Sequence, residues 1–114
     1  MDAHDFVSVS ARRESAVPSL LSPEDALREF LAALLQSLRE SGCAMVGHIK
    51  GMLDDGGASP LFFSVTSFNG APQLKGGPLR AGGRVSLSVT AIVAGMTEAA
   101  VSGILEESLL EYFM

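Results

Sequence analysis

The stretch RVSLSVTAIVA, residues 84–94, alternates apolar and small polar side chains from Val85 to Ala91. On an extended chain, successive side chains point to opposite sides. Val85, Leu87, Val89, Ala91 and Val93 therefore share one side, and Ser86, Ser88, Thr90 and Ile92 share the other. A helix would scatter these residues around its axis, so the segment predicts a strand with one buried and one partly wetted face. Such a strand needs partners. CAMVGHIKGMLD alternates around 43–54 and PLFFSVTSF covers 60–68. The turn residues of DDGGAS between them predict a hairpin.

Two helices flank these strands. SPEDALREFLAALLQSLRESG opens with Ser22 as N-cap and Pro23 at the first helical position, where its missing N–H costs little. Glu24 and Asp25 suit the positive end of the helix dipole, and Glu24 lies four residues before Arg28. Leu27, Phe30, Leu31, Leu34 and Leu38 form one apolar stripe, and Gly42 is a fitting stop. A second helix is predicted from Thr97, as N-cap, to about Phe113, with Ala100, Val101, Ile104, Leu105, Leu109 and Tyr112 as a broad apolar surface. The expected fold is α+β, a two-layer sandwich of a three-stranded antiparallel meander with two helices on one face, in the order αβββα. DFVSVSA also alternates, so an extra N-terminal strand is an option. Residues 1–21 read as an arm or short strand plus linker, and 22–114 as a single domain.

Composition limits the functions open to this fold. No apolar run approaches the ~20 residues of a membrane-spanning helix. The N-terminus lacks a basic segment followed by a long apolar stretch, so a signal peptide is not expected. The single cysteine cannot form an internal disulfide. A cytoplasmic location is the default reading. The net charge of −5 argues against nucleic acid as partner. The charge is unevenly distributed: residues 45–95 hold four bases and two acids, whereas the last nineteen residues hold four glutamates and no base.

The chemistry-bearing residues are few. Cys43 and His48 are five apart, roughly 16 Å along a strand and on opposite sides, so they cannot form a nucleophile pair. One cysteine and two histidines without ligand spacing do not make a zinc site, and no cofactor or metal is implied. Cys43 reads as a small buried apolar residue, and Asp54 and Asp55 as turn residues. His48 and Lys50 do share a side. With alternation unbroken, Met45, Gly47, Ile49 and Leu53 point to the helices. Val46, His48, Lys50 and Met52 then join Phe62, Ser64, Thr66, Phe68, Ser86, Ser88, Thr90 and Ile92 on the other side. That surface has a hydroxyl-rich middle and an apolar rim.

NGAPQLKGGPLRAGGR, residues 69–84, has five glycines, two prolines, three bases and no acid. Successive glycine N–H groups can face an anion, and Lys75, Arg80 and Arg84 add charge. The segment matches neither a P-loop nor a dinucleotide fingerprint. Glu106, Glu107 and Glu111 near the C-terminus are possible counterparts for this basic loop on another subunit.

Three functional readings follow, in order. The first is a non-enzymatic association domain, a homo-oligomer or accessory subunit that binds itself or another protein through the hydroxyl-rich sheet side. The second is a ligand-binding or regulatory module for a small anion or phosphorylated metabolite, held by His48, Lys50, Lys75, Gly76, Gly77, Arg80 and Arg84. The third is a small enzyme with His48 as general base, for which no partner carboxylate is visible on its side of the strand.

Overall fold

The computed structural model describes residues 5–16, 21–80 and 83–113. They form β1 (Phe6–Ala16), α1 (Pro23–Glu40), β2 (Met45–Asp54), β3 (Leu61–Val65), β4 (Gln73–Gly76), β5 (Arg84–Ala94) and α2 (Glu98–Tyr112). Local chemistry sets the helix ends. The Asp25 N–H donates to Ser22 Oγ at 3.1 Å, and the Ala100 N–H donates to Thr97 Oγ1 at 3.2 Å, each satisfying a donor that the first turn leaves free. α1 stops where Gly42 takes a φ of +91°, a left-handed conformation that favours glycine.

The sheet is a five-stranded antiparallel one in the order β1-β5-β2-β3-β4. The fold is α+β, but it is not the expected three-stranded meander. The β2–β3 hairpin forms as anticipated, with Ile49 opposite Val65 and Leu53 opposite Leu61. β5 does not add to the outer edge of β3. It returns across the sheet and inserts between β1 and β2. There, both rows of its backbone donors and acceptors are paired, which an edge position would not allow. β1 and β2 each run antiparallel to β5, so they are parallel to one another, and α1 provides the long crossover that parallel strands require. β1 pairs with β5 along its full length, from Phe6 opposite Ala94 to Ala16 opposite Arg84.

Two further expectations are corrected. Residues 69–84 are not one continuous loop. Gln73–Gly76 extends along the outer edge of β3, with Lys75 opposite Phe62, and so blunts that edge with a short strand. Alternation in β2 is also broken. A register shift between Val46 and His48 leaves Gly47 as an extra residue. The bulge turns Val46 into the core at 5% exposure and leaves Met45 exposed at 48%, the reverse of the unbroken pattern.

One hydrophobic cluster joins the helices to the buried side of the sheet. Leu27, Phe30, Leu31, Leu34 and Leu38 of α1 meet Val101, Leu105 and Leu109 of α2, with Ile49, Phe63, Leu87 and Ala91 beneath them. The rings of Phe30 and Phe113 meet edge to face at 5.8 Å and 86°. Each fully buried leucine or phenylalanine contributes about 1.5–3 kcal/mol by leaving water. Gly51 sits where β2 and β5 approach closely: a Cβ there would lie 1.9 Å from the Ser88 carbonyl oxygen and 2.7 Å from Phe63 Cζ.

Candidate functional site

Among the described residues, the helices contribute their core side chains to the buried side of the sheet, and the side chains of the other side fall in rows set by the strand register. One row runs Arg12, Ser88, Met52, Phe62, Lys75 from β1 to β4. The next runs Ser10, Thr90, Lys50, Ser64, Gln73. A third places Ser8 beside Ile92 and Ile92 beside His48. The β1 to β3 members of the first two rows, Arg12, Lys50, Met52, Phe62, Ser88 and Thr90 among them, line a trough of about 750 Å³. A second hollow of about 570 Å³ shares Phe62 and Ser64 with it and continues to Lys75.

The trough has an apolar floor and cationic margins. Phe62 is 52% exposed, large for an aromatic ring that carries no polar group. The hydroxyls of Ser10 and Thr90 satisfy each other at 2.8 Å, which mutes the polarity of the floor between Arg12 and Lys50. At one end of the sheet Phe6 lies over Gly47, and Phe6 and Met45 are each about half exposed. The opposite end carries Glu14, Asp54 and Arg84. Asp54 Oδ1 there accepts the Gly56 N–H at 2.9 Å, so that carboxylate serves its own turn.

Most of the anticipated interface residues meet on this side: Phe62, Ser64, Ser86, Ser88, Thr90 and Ile92 lie in its rows. Thr66 lies one residue beyond the end of β3 and is exposed. Phe68 is a correction. β3 ends at Val65, and Phe68 packs against the core under α1, with the Arg39 guanidinium 5.0 Å from its ring centroid. That guanidinium also donates to Asn69 Oδ1 at 2.8 Å.

The anticipated anion-binding set does not come together. His48 is level with Ile92 at one end of the sheet, whereas Gly76 is level with Leu61, several residues along β3 and β4. Gly76 and Gly77 adopt φ values of +108° and +70°, and at Gly76 a Cβ would lie 2.1 Å from the Pro60 carbonyl oxygen. These glycines are explained by a tight strand end. The backbone N–H of Arg80 donates to Asp55 Oδ2 at 2.8 Å, and Asp55 Oδ1 accepts from the Gly57 N–H, so these groups serve the turn. The two hydrogen bonds, that from Arg80 foremost, hold the Asp55 carboxyl below the usual carboxylate range. Arg84, opposite Ala16, lies beyond the row of Glu14, Ser86 and Asp54 and joins those two acids around a hollow of about 280 Å³.

The remaining candidates have structural surroundings. Cys43 is buried, and burial pushes its thiol up, against a smaller opposing effect of its hydrogen bond with the Met45 backbone. Glu106 pairs with Arg13 of β1 in the same chain, so this acid already has a cation without a second subunit. Among the described residues, no His, Cys, Asp and Glu side chains cluster as a metal site, and His48 has no hydrogen-bonded carboxylate. Among the described residues, no helix is long and apolar enough to cross a membrane. Sequence reasoning missed Ser10 and Arg12 as part of the site. The alternation of DFVSVSA was a signal for the strand, but its placement beside β5 depends on a pairing between segments about eighty residues apart.

No protein-family model and no curated protein matches the sequence. Among solved structures, the fold is similar to that of part of the Zn(II)-bound YjiA GTPase from E. coli, with a TM-score of 0.52 and 15% identity over 90% of this chain and 29% of that one. A Zn(II)-bound triple mutant of YjiA GTPase gives a TM-score of 0.52 and 13% identity over the same shares. At these identities the likeness is one of fold. The chain spans under a third of the length of these neighbours.

Proposed function

We propose that this chain is a non-enzymatic association module that binds another protein through the uncovered side of its sheet. The observation that carries this reading is the surface formed by the trough and the adjoining hollow: Phe62, about half exposed and shared by both, and Met52 form an apolar floor between Arg12 in the trough and Lys75 in the hollow. Uncovered apolar floors rimmed by charge mark sites of association. Catalysis finds less support, because His48 stands apart from Asp54, Asp55 and Cys43 in the sheet.

Site-directed photo-crosslinking tests the reading. A photoreactive amino acid at position 62 is expected to yield an adduct of one discrete mass in cells expressing the chain, and the adduct is expected to disappear when Met52→Asp is added. The same probe at position 29, exposed on α1, serves as the control. Equal labelling from both positions, or none from 62, would overturn the assignment of this surface.

A further inference from the structure

We infer that the occupant of the trough is an acidic amphipathic helix, with an apolar stripe on Phe62 and Met52 and carboxylates reaching Arg12, Lys50 and Lys75. The inference rests on the association reading and adds the chemistry of the partner.

Charge excludes the simplest alternative, a second copy stacked face to face. The rows that line the trough and the adjoining hollow present Arg12, Lys50 and Lys75 with no acid among them. Two such surfaces brought together would set like charges opposite one another. The acids on this side, Glu14 and Asp54, lie at its end, and Asp54 is held by its own turn.

Spacing excludes a small anion. Arg12 lies on β1 and Lys75 on β4, at opposite ends of one row. Four strand steps separate them, roughly 19 Å. Lys50 lies between them in the adjacent row. Cations so dispersed over an apolar floor cannot converge on one phosphate or carboxylate. They suit an elongated ligand that carries several negative charges along its flanks.

Backbone chemistry selects a helix over an extended peptide. The trough is on the face of the sheet, and the backbone groups of β5, β2 and β3 there are already paired with neighbouring strands. An extended peptide laid across Phe62 and Met52 would bury its own N–H and C=O groups without partners. A helix satisfies these groups internally and presents only side chains. Its diameter of about 10–12 Å lets flanking glutamates reach cations on both sides of the floor. The opposite side of the same sheet already receives α1 and α2 in this manner.

The test uses the full chain and synthetic helices of about 14 residues, roughly 21 Å long, constrained by a side-chain staple. One helix carries a leucine stripe flanked by glutamates, and its counterpart carries lysines in place of the glutamates. Fluorescence anisotropy is expected to show at least about tenfold tighter binding of the acidic helix, weakening several-fold as salt rises from about 50 to 300 mM. Arg12→Glu combined with Lys50→Glu is expected to reverse the preference, and Phe62→Asp to abolish binding, with thermal stability retained because all three side chains are exposed. Equal affinity for both helices, equal affinity for a proline-interrupted acidic peptide, or binding of anionic lipid vesicles without binding of the helix would each overturn the inference. So would a dimer of the chain alone that Phe62→Asp dissolves. If position 62 crosslinks a protein in cells while the acidic helix fails to bind, the association reading stands and this partner chemistry falls.

Discussion

Replacing Gly51 with alanine is expected to be among the most damaging single-methyl changes in this chain, and the cost can be worked from the geometry. The added Cβ would lie 1.9 Å from the Ser88 carbonyl oxygen and 2.7 Å from Phe63 Cζ. A relaxed carbon–oxygen contact is about 3.3–3.6 Å, so β2 and β5 must separate locally by more than about 1 Å. A shift of that size breaks backbone hydrogen bonds around the Gly51–Val89 pairing, at about 1 kcal/mol each. Moving the Phe63 ring in a filled core adds about 1–3 kcal/mol. The expected loss is therefore about 3–5 kcal/mol, or roughly 12–20 °C in Tm for a domain of this size. Gly103→Ala is the internal control. It has open space around the added methyl and lies within α2, so it is expected to stabilise by about 0.5–1 kcal/mol. Urea denaturation followed by far-ultraviolet circular dichroism measures both. Phe63→Leu in the Gly51→Ala background relieves the ring contact but not the carbonyl contact, so it recovers less than half of the loss. A Tm for Gly51→Ala within about 2 °C of the parent would show that β2 and β5 do not approach as described, and the reasoning would fail.

Other measurements probe separate parts of the molecule. Phe113→Ala removes a fully buried ring that meets Phe30 edge to face, and is expected to cost about 3–5 kcal/mol in the same denaturation assay. The Asp55 carboxyl is held low by the Arg80 and Gly57 N–H groups, so the link it makes is present above the unfolded carboxylate pKa and is lost as pH falls through the lower folded value. Hydrogen exchange at the Arg80 amide, corrected for its intrinsic rate, is expected to show protection at neutral pH that persists into the ordinary carboxylate range and is lost only at more acidic pH, and Asp55→Ala is expected to remove it throughout. The buried Cys43 thiol is expected to react with a thiol reagent at least about tenfold more slowly in the folded chain than in denaturant, since burial both shields it and disfavours the thiolate. Glu106→Gln breaks the pair with Arg13 at partly exposed positions and is expected to change stability by no more than about 1 kcal/mol.

The residue order alone determined those features whose physics is local. Ser22 and Thr97 cap helices because a hydroxyl in that position meets a free N–H within one turn. The α1 stripe from Leu27 to Leu38 and the buried row from Val85 to Val93 follow from the 3.6-residue and two-residue periods of the backbone. The same alternation located Phe62, Ser64, Ser88 and Thr90 on the side opposite the helices. Only the tertiary structure decided which strands stand side by side, because pairing depends on distant segments competing for the same backbone donors. It placed β5 at the centre, brought Arg12 into the trough, and gave Glu106 its partner in Arg13. It also inserted Gly47 as an extra residue, and one such insertion inverts every parity argument on the near side of it, sending Val46 inward and Met45 outward. Periodicity assigns side chains to a face only while the ladder stays in register, and register is a property of two strands together.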